Sequence, residues 1–274
     1  MLIIIIIIAL YVIWCVIAYL FQGEMVFPRR YANQWQRVSV PDHIEALWLD
    51  HPDSIRTEAL FRPGEGISSD RPGPLVIYAH GNGELIDNNI ELSDFLYSQS
   101  ISILLIEYRG YGRSQGTPSE QAIVRDAHRW IEQMKLRQDV DARQLIYWGR
   151  SIGAGVMCQL ALEEPPAGLI LQTALLRCDT FAWRFGFPPF LMRHPFRTDL
   201  ALPRIFCPLL ILQHTTDQIA PITDGRMMKQ LAAGPVTLIE LNGTHNALAS
   251  QTEQERQELA IRQFLKLIQS NISY

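Results

Sequence analysis

Basic charge, lysine and paired cysteines are all scarce in this 274-residue chain, and each scarcity removes a class of function. Lys135, Lys229 and Lys266 are its only lysines, and 24 basic residues against 28 acidic ones leave a net charge of −4. Nucleic-acid binding needs a basic face, and this balance gives it no support. The four cysteines make no disulfide framework: Cys15 lies in an apolar run, and Cys158, Cys178 and Cys207 form an odd, widely spaced set. Repeats, heptads and low-complexity tracts are also missing. Arg109-Gly110-Tyr111-Gly112 lacks a third glycine at the required spacing, which excludes a dinucleotide-binding fingerprint. His80 has no second ligand close enough in sequence to suggest a metal site, so neither metal nor cofactor is expected.

Charge is missing altogether from Leu2–Phe21, "LIIIIIIALYVIWCVIAYLF". At about 1.5 Å per residue this run reaches about 30 Å, the thickness of a bilayer's hydrocarbon core. A secretory signal peptide would want a positive n-region, a shorter apolar stretch and a small-x-small cleavage site. No Lys or Arg precedes this run, and "AYLFQGE" makes a poor cleavage site. Residues 1–22 are therefore expected to be a retained transmembrane anchor in contact with the lipid bilayer through residues 2–21. Residues 23–36, rich in aromatics and arginines, suit a juxtamembrane tether in the headgroup zone. Arg29, Arg30 and Arg37 flank the anchor on its C-terminal side, which biases the following domain toward the cytoplasm.

After the tether, one domain over 37–274 is expected. Its opening stretches, Arg37–Val40, Ala46–Leu49 and Ile55–Phe61, alternate as antiparallel strands do. Then come continuous apolar runs at Leu75–Ala79, Ile101–Ile106, Leu145–Trp148, Gly168–Leu171, Leu209–Gln213 and Val236–Leu241. Unbroken runs of this kind fit strands buried on both faces of a parallel sheet. Helical segments at Glu91–Ser100, Ser119–Arg137, Ile152–Glu163, Thr223–Ala232 and Thr252–Gln269 alternate with them. The fold class is α/β, a mostly parallel central sheet with helices on both faces. Residues 175–203 interrupt the alternation. They are rich in Phe, Trp, Leu and Met but cut by Pro188, Pro189 and Pro195, and are read as a small cap over the strand ends, or else as an irregular crossover packed on the sheet.

Within this frame Gly149-Arg150-Ser151-Ile152-Gly153 follows a strand and precedes a helix. That is the setting of a nucleophile elbow, a turn so tight that residues two before and two after the serine must lack a side chain. A serine hydroxyl needs an oriented base to take its proton. Asp217 follows the run Leu209–Gln213 and His245 follows Val236–Leu241, so both fall at the strand ends where Ser151 also lies. Asp179, at the cap entrance, is a rival acid. Ile152 and Gly83, with Asn82 next, are the candidate oxyanion donors, the latter two from the His80-Gly81-Asn82-Gly83 loop. Phe181, Trp183 and Phe187 of the cap are candidate substrate contacts. Of the other histidines, His43, His51 and His128 are expected to be ordinary packing or surface residues, and His214 to support the Asp217 loop.

The stretches "YAHGNG", "IEYRGYGRSQGTPSE", "GRSIGAG", "PLLILQHTTDQIAP" and "NGTHNAL" resemble the α/β-hydrolase superfamily, over about residues 37–270. Within it they are most similar to the membrane-anchored α/β-hydrolase domain-containing, or Bem46-like, serine hydrolases. The resemblance implies Ser151, Asp217 and His245 as nucleophile, acid and base, with Gly83 and Ile152 as oxyanion donors. Thr215, where the family usually has glycine, and Asn246, where an acid is frequent, are departures that affect the pocket rim. The expected function is hydrolysis of carboxylic esters or thioesters of acyl chains, in lipid, lysolipid or acylated protein. A serine peptidase on the same triad and a non-catalytic lipid-binding module are the alternatives.

Overall fold

In the parallel strands, successive side chains point to opposite faces, and here both faces are covered. A computed structural model describes residues 1–34 and 39–272 of the chain. Among them eight strands form one sheet, in the order β1-β2-β4-β3-β5-β6-β7-β8. The strands are β1 (Glu45–Asp50), β2 (Arg56–Arg62), β3 (Gly73–Ala79), β4 (Ser102–Ile106), β5 (Val140–Arg150), β6 (Gly168–Gln172), β7 (Leu209–His214) and β8 (Val236–Leu241). β1 and β2 are antiparallel, as is β2 with β4; all other pairings are parallel. β1 alternates, and β3, β4, β6 and β7 are buried almost throughout. But β2, expected to alternate, lies between β1 and β4 and is buried from Thr57 to Phe61, and β8 at the sheet edge is only half-buried. Arg37 and Val38, expected to open a first strand, lie outside the described residues, and Ser39 and Val40 are not in a strand.

The helices are α1 (Leu2–Val26), α2 (Arg29–Ala32), α3 (Ile90–Tyr97), α4 (Glu120–Lys135), α5 (Ile152–Glu163), α6 (Thr198–Ala201), α7 (Ile222–Leu231) and α8 (Gln251–Ile272). Leu75, Ile77, Tyr147 and Leu171 face one layer with α4, α5 and α7 residues such as Trp130, Val156 and Met228. Val76, Tyr78, Ile146 and Ile170 face the other, against Leu96 of α3 and Ile261, Phe264 and Ile268 of α8. Each such fully buried side chain contributes about 1.5–3 kcal/mol relative to exposure. The exposed ion pairs of this surface, such as Arg226 with Glu240, contribute about 0–1 kcal/mol apiece, so apolar burial decides the fold.

Two features position the site. The chain runs from β3 outward to β4, then crosses back to lay β5 on the other side of β3, so connections diverge at the β3/β5 boundary. Open α/β sheets form their crevice at such a reversal. Residues 175–203 contain only short 3₁₀ turns (Cys178–Phe185, Pro189–Leu191, Leu202–Arg204) and the four-residue α6, because the prolines forbid a continuous helix. This segment lies over the crevice and lines it. The tether over 23–36 is partly helical: α1 continues to Val26, and α2 follows after Phe27 and Pro28, while residues 35 and 36 lie outside the described residues.

Candidate active site

Ser151 sits between the end of β5 and the start of α5 with φ 54° and ψ −119°, a conformation that side-chain-bearing residues rarely adopt. The glycines around it are required by contact. A Cβ on Gly149 would lie 2.3 Å from the Gly153 carbonyl oxygen, and one on Gly153 would lie 2.1 Å from that of Ala79. The strained turn is therefore held by the packing of α5 against β5 and the end of β3. It projects the Ser151 hydroxyl to 3.0 Å from Nε2 of His245. On the other side of the imidazole, Nδ1 donates to Oδ2 of Asp217 at 2.7 Å.

The acid is fixed in turn. Its other oxygen, Oδ1, accepts the backbone N–H groups of Ile219 at 2.7 Å and Ala220 at 2.9 Å. Burial opposes ionisation of Asp217, but His245 and these two N–H groups together hold its carboxyl below the usual carboxylate range. Asp179 stands apart: Arg177 engages both its oxygens at 2.5 Å, in the cap. The structure brings Ser151, His245 and Asp217 together and leaves Asp179 outside.

Ala79 of β3 pairs with Gly149 of β5, which sets the loop after β3 beside Ser151. Asn82, Gly83, Ser151, Ile152 and His245 line one cavity of about 1300 Å³. Ile152 is the first residue of α5, where backbone N–H groups have no partner within the helix. A Cβ on Gly81 would meet Glu84 Oε1 at 2.5 Å, whereas one on Gly83 would have only the Tyr31 ring, 4.0 Å away. A side chain at Gly81 would therefore displace the Glu84 carboxylate, while one at Gly83 would have room.

Tyr108, Tyr111 and Glu107, which the sequence did not single out for roles, hold this loop together with His80. Tyr108 donates to the His80 carbonyl at 2.6 Å, and Tyr111 to that of Asn82 at 2.9 Å. His80, fully buried, sets Nε2 2.8 Å from Glu107 Oε1 and Nδ1 2.7 Å from the Gly81 carbonyl, a structural role in place of a metal ligand's. Arg150, inside the elbow, bridges two loops. It pairs with Glu84 and donates from Nη2 to the His245 carbonyl at 3.1 Å and to Asn246 Oδ1 at 3.0 Å. Asn246 is thus an acceptor for Arg150 where an acid is frequent. The signal for these residues was present in "IEYRGYG" and in the x of G-x-S-x-G, but their partners are far away in sequence.

The Hydrolase_4 family, described as serine aminopeptidase S33, matches residues 70–237. The chain belongs to the α/β-hydrolase superfamily. An uncharacterized protein of Mycobacterium tuberculosis is 29% identical over 202 residues, 72% of this chain and 71% of that one. The lysophosphatidylserine lipase ABHD12 of Rattus norvegicus is 31% identical over 183 residues, covering 58% of this chain but only 46% of its own length. Among solved structures, an α/β hydrolase from Vibrio vulnificus superposes with a TM-score of 0.70 at 18% identity, covering 88% of this chain and 92% of that one.

In this hydrolase the cap and α1 form the remaining wall. Of the candidate substrate contacts, Phe181 and Phe187 line the cavity; Trp183 does not. Its ring is turned outward and 67% exposed, while the adjacent Arg184 and Phe185 line the cavity instead. The cap's short turns, unlike a helix, do not present side chains at a period readable from sequence. His194 also stays out of the cavity. It is buried in the cap, where its Nδ1 accepts the Glu120 N–H at 3.3 Å, and burial first, then Arg193, lowers its pKa to about 4. His214 lines the cavity and sets Nδ1 2.5 Å from the Thr244 carbonyl, next to His245.

Proposed function

We propose that this α/β hydrolase is a membrane-tethered serine hydrolase that cleaves carboxylic esters or thioesters of acyl chains. The observation that carries the reading is the continuous relay from Ser151 through His245 to Asp217, at 3.0 and 2.7 Å, on a strained turn. Ser151 attacks the acyl carbonyl as His245 Nε2 takes its proton, and Asp217 stabilises the imidazolium. The developing oxyanion faces the N–H of Ile152 and a second N–H from the Asn82–Gly83 loop, donors of a kind worth about 10²–10³ in kcat each. His245 then protonates the leaving alcohol or thiol, activates water against the acyl-enzyme, and returns the proton to Ser151.

The acyl preference is supported by the wall opposite the triad. Met25 and Val26 of α1 and Phe181, Phe187 and Met192 of the cap offer an apolar surface to the bound chain. The rat relative's name, a lysophosphatidylserine lipase, points the same way, to a single-chain lipid ester. Tethering is supported by α1, a helix long and apolar enough to cross a bilayer, and Arg29 and Arg30 just after it favour a cytoplasmic domain. The description of the matched family, a serine aminopeptidase, favours a second reading in which the same relay cleaves peptides.

A fluorophosphonate probe and a substrate panel test this. The wild-type chain is expected to label, and Ser151→Ala to lose both labelling and activity, with kcat falling about 10⁴–10⁶-fold. Labelling that survives Ser151→Ala would overturn the nucleophile assignment. Turnover of aminoacyl anilides but not of acyl esters would replace the esterase reading with the peptidase one.

A further inference from the structure

The cap does not stand clear of α1. Trp14 donates its indole N–H to the Phe185 carbonyl at 3.0 Å, and Ala18 is buried against Ala182 and Phe187. One turn on, Gln22 donates to the Leu191 carbonyl at 3.0 Å and accepts the Arg193 N–H at 2.5 Å. The Arg193 guanidinium lies over the Tyr19 ring. The cap therefore runs alongside α1 from Gln22 back to Trp14.

That leaves Leu2–Ile13 as the part of α1 beyond the cap. Twelve residues at about 1.5 Å each reach about 18 Å, well short of the roughly 30 Å of a hydrocarbon core. The missing length is supplied by the stretch from Trp14 to Phe21, the same stretch the cap lies against. On its far side that stretch is apolar and open, with Leu20 63% exposed and Phe21 62%. Water would cover this surface at high cost; lipid covers it at none. On the cap segment bonded to this stretch, Trp183, Phe185 and Phe190 are exposed, Phe190 at 83%, and Arg184 and Arg193 lie near them in sequence, also exposed. Aromatics and arginines together match the chemistry of the boundary between acyl chains and phosphate headgroups.

We propose that the cap face carrying Trp183, Phe185 and Phe190 is immersed in the bilayer beside α1, so that the candidate active-site cavity opens into the lipid layer. Gln22, Met25 and Val26 of α1 and Phe185, Phe187 and Met192 of the cap all line that cavity. An acyl ester in the same leaflet enters where the cavity meets lipid, beside the closed seam of α1 and the cap, its chain never crossing water. The inference rests on the reading of α1 as a membrane anchor, and its test uses no enzymatic activity.

The full chain, with Cys15→Ala and Cys207→Ala, is reconstituted in phosphatidylcholine vesicles and carries one NBD label at a time, on Phe190→Cys, Leu20→Cys, Ile5→Cys or Leu136→Cys. Doxyl groups on the upper acyl chain are expected to quench the label at 190 as strongly as at 20, at least threefold more than at 136. Leu136 ends α4, at the sheet edge away from the cap. Quenching at 5 and 20 but not at 190 would overturn the immersed cap and leave the anchor intact. A label at 190 shielded from both doxyl lipid and aqueous iodide would overturn it in favour of a protein partner, such as a second copy. No quenching at 5 would remove the anchor, and the inference with it.

Discussion

The two walls of the cavity are built differently. On the sheet side, Ser151 and the His245 loop are set by strand pairing and by glycines that touch neighbouring backbone, and the Asn82–Gly83 loop by hydrogen bonds from Tyr108 and Tyr111. On the cap side, Phe181, Phe187 and the end of α1 are held by scattered hydrogen bonds such as Trp14 to Phe185 and Gln22 to Leu191. Backbone packing fixes atoms to the fractions of an ångström that proton transfer needs. Side-chain contacts between short proline-broken turns fix a surface, and a surface is enough to receive an apolar chain. Under the proposed function, the chemistry falls to the rigid wall and the choice of substrate to the looser one.

Four experiments break or sharpen that contrast. The largest effect is expected from the acid: Asp217→Asn loses about 10³–10⁴ in kcat, because Asn cannot hold His245 in the tautomer that accepts the serine proton. Asp179→Asn, in the looser wall, costs less than tenfold; a reversed order in steady-state kinetics would move the acid to the cap. Next is Arg150→Gln, which removes the bridge between Glu84 and the His245 loop. As a positioning residue, Arg150 is expected to change kcat by about 10–100-fold and KM little. An effect confined to KM would make it a substrate contact.

The third is a pH effect in the cap. Burial and Arg193 lower His194 from 6.5 to about 4, so the unfolded chain binds a proton over that interval and the folded chain does not. Stability from this group is complete above pH 6.5 and declines as pH falls toward 4. Glu120 beside it acts in the opposite sense, its carboxyl raised by burial. Thermal denaturation of His194→Asn against wild type isolates the histidine: the variant's Tm is expected to fall less between pH 6.5 and 4.5, and parallel curves would refute the assignment. The smallest effect is that of Trp14→Phe, which keeps an aromatic ring but loses the bond to Phe185, about 0.5–1.5 kcal/mol. Amide exchange should rise in residues 183–193 and stay unchanged in β5; a rise in both would mean that the two walls open together.

Much of the rigid wall was legible in sequence. Leu75–Ala79, Leu145–Trp148 and Leu209–Gln213 read as strands because a doubly buried strand must be apolar throughout. Gly149 and Gly153 marked the elbow because a Cβ there collides with backbone. The looser wall resisted. Trp183 and Phe185 flank Arg184, and nothing local says which aromatic turns toward the cavity; the 3₁₀ turns of the cap decide it. Likewise Tyr108, Tyr111 and Glu107 could not be read as the brace of the His80–Gly83 segment, since the bonds join residues 27 to 29 positions apart.

The sequence by itself determined the alternation of strands and helices, the tight turn at Ser151 and the existence of a long apolar helix. These depend on local sterics and on the hydrophobic pattern, which each segment carries within itself. Only the tertiary structure decided that Asp217 and not Asp179 meets His245, that Arg150 ties two loops together, and that the cap lies along Trp14–Gln22. Contacts between distant segments depend on how layers pack, and no single segment contains that information.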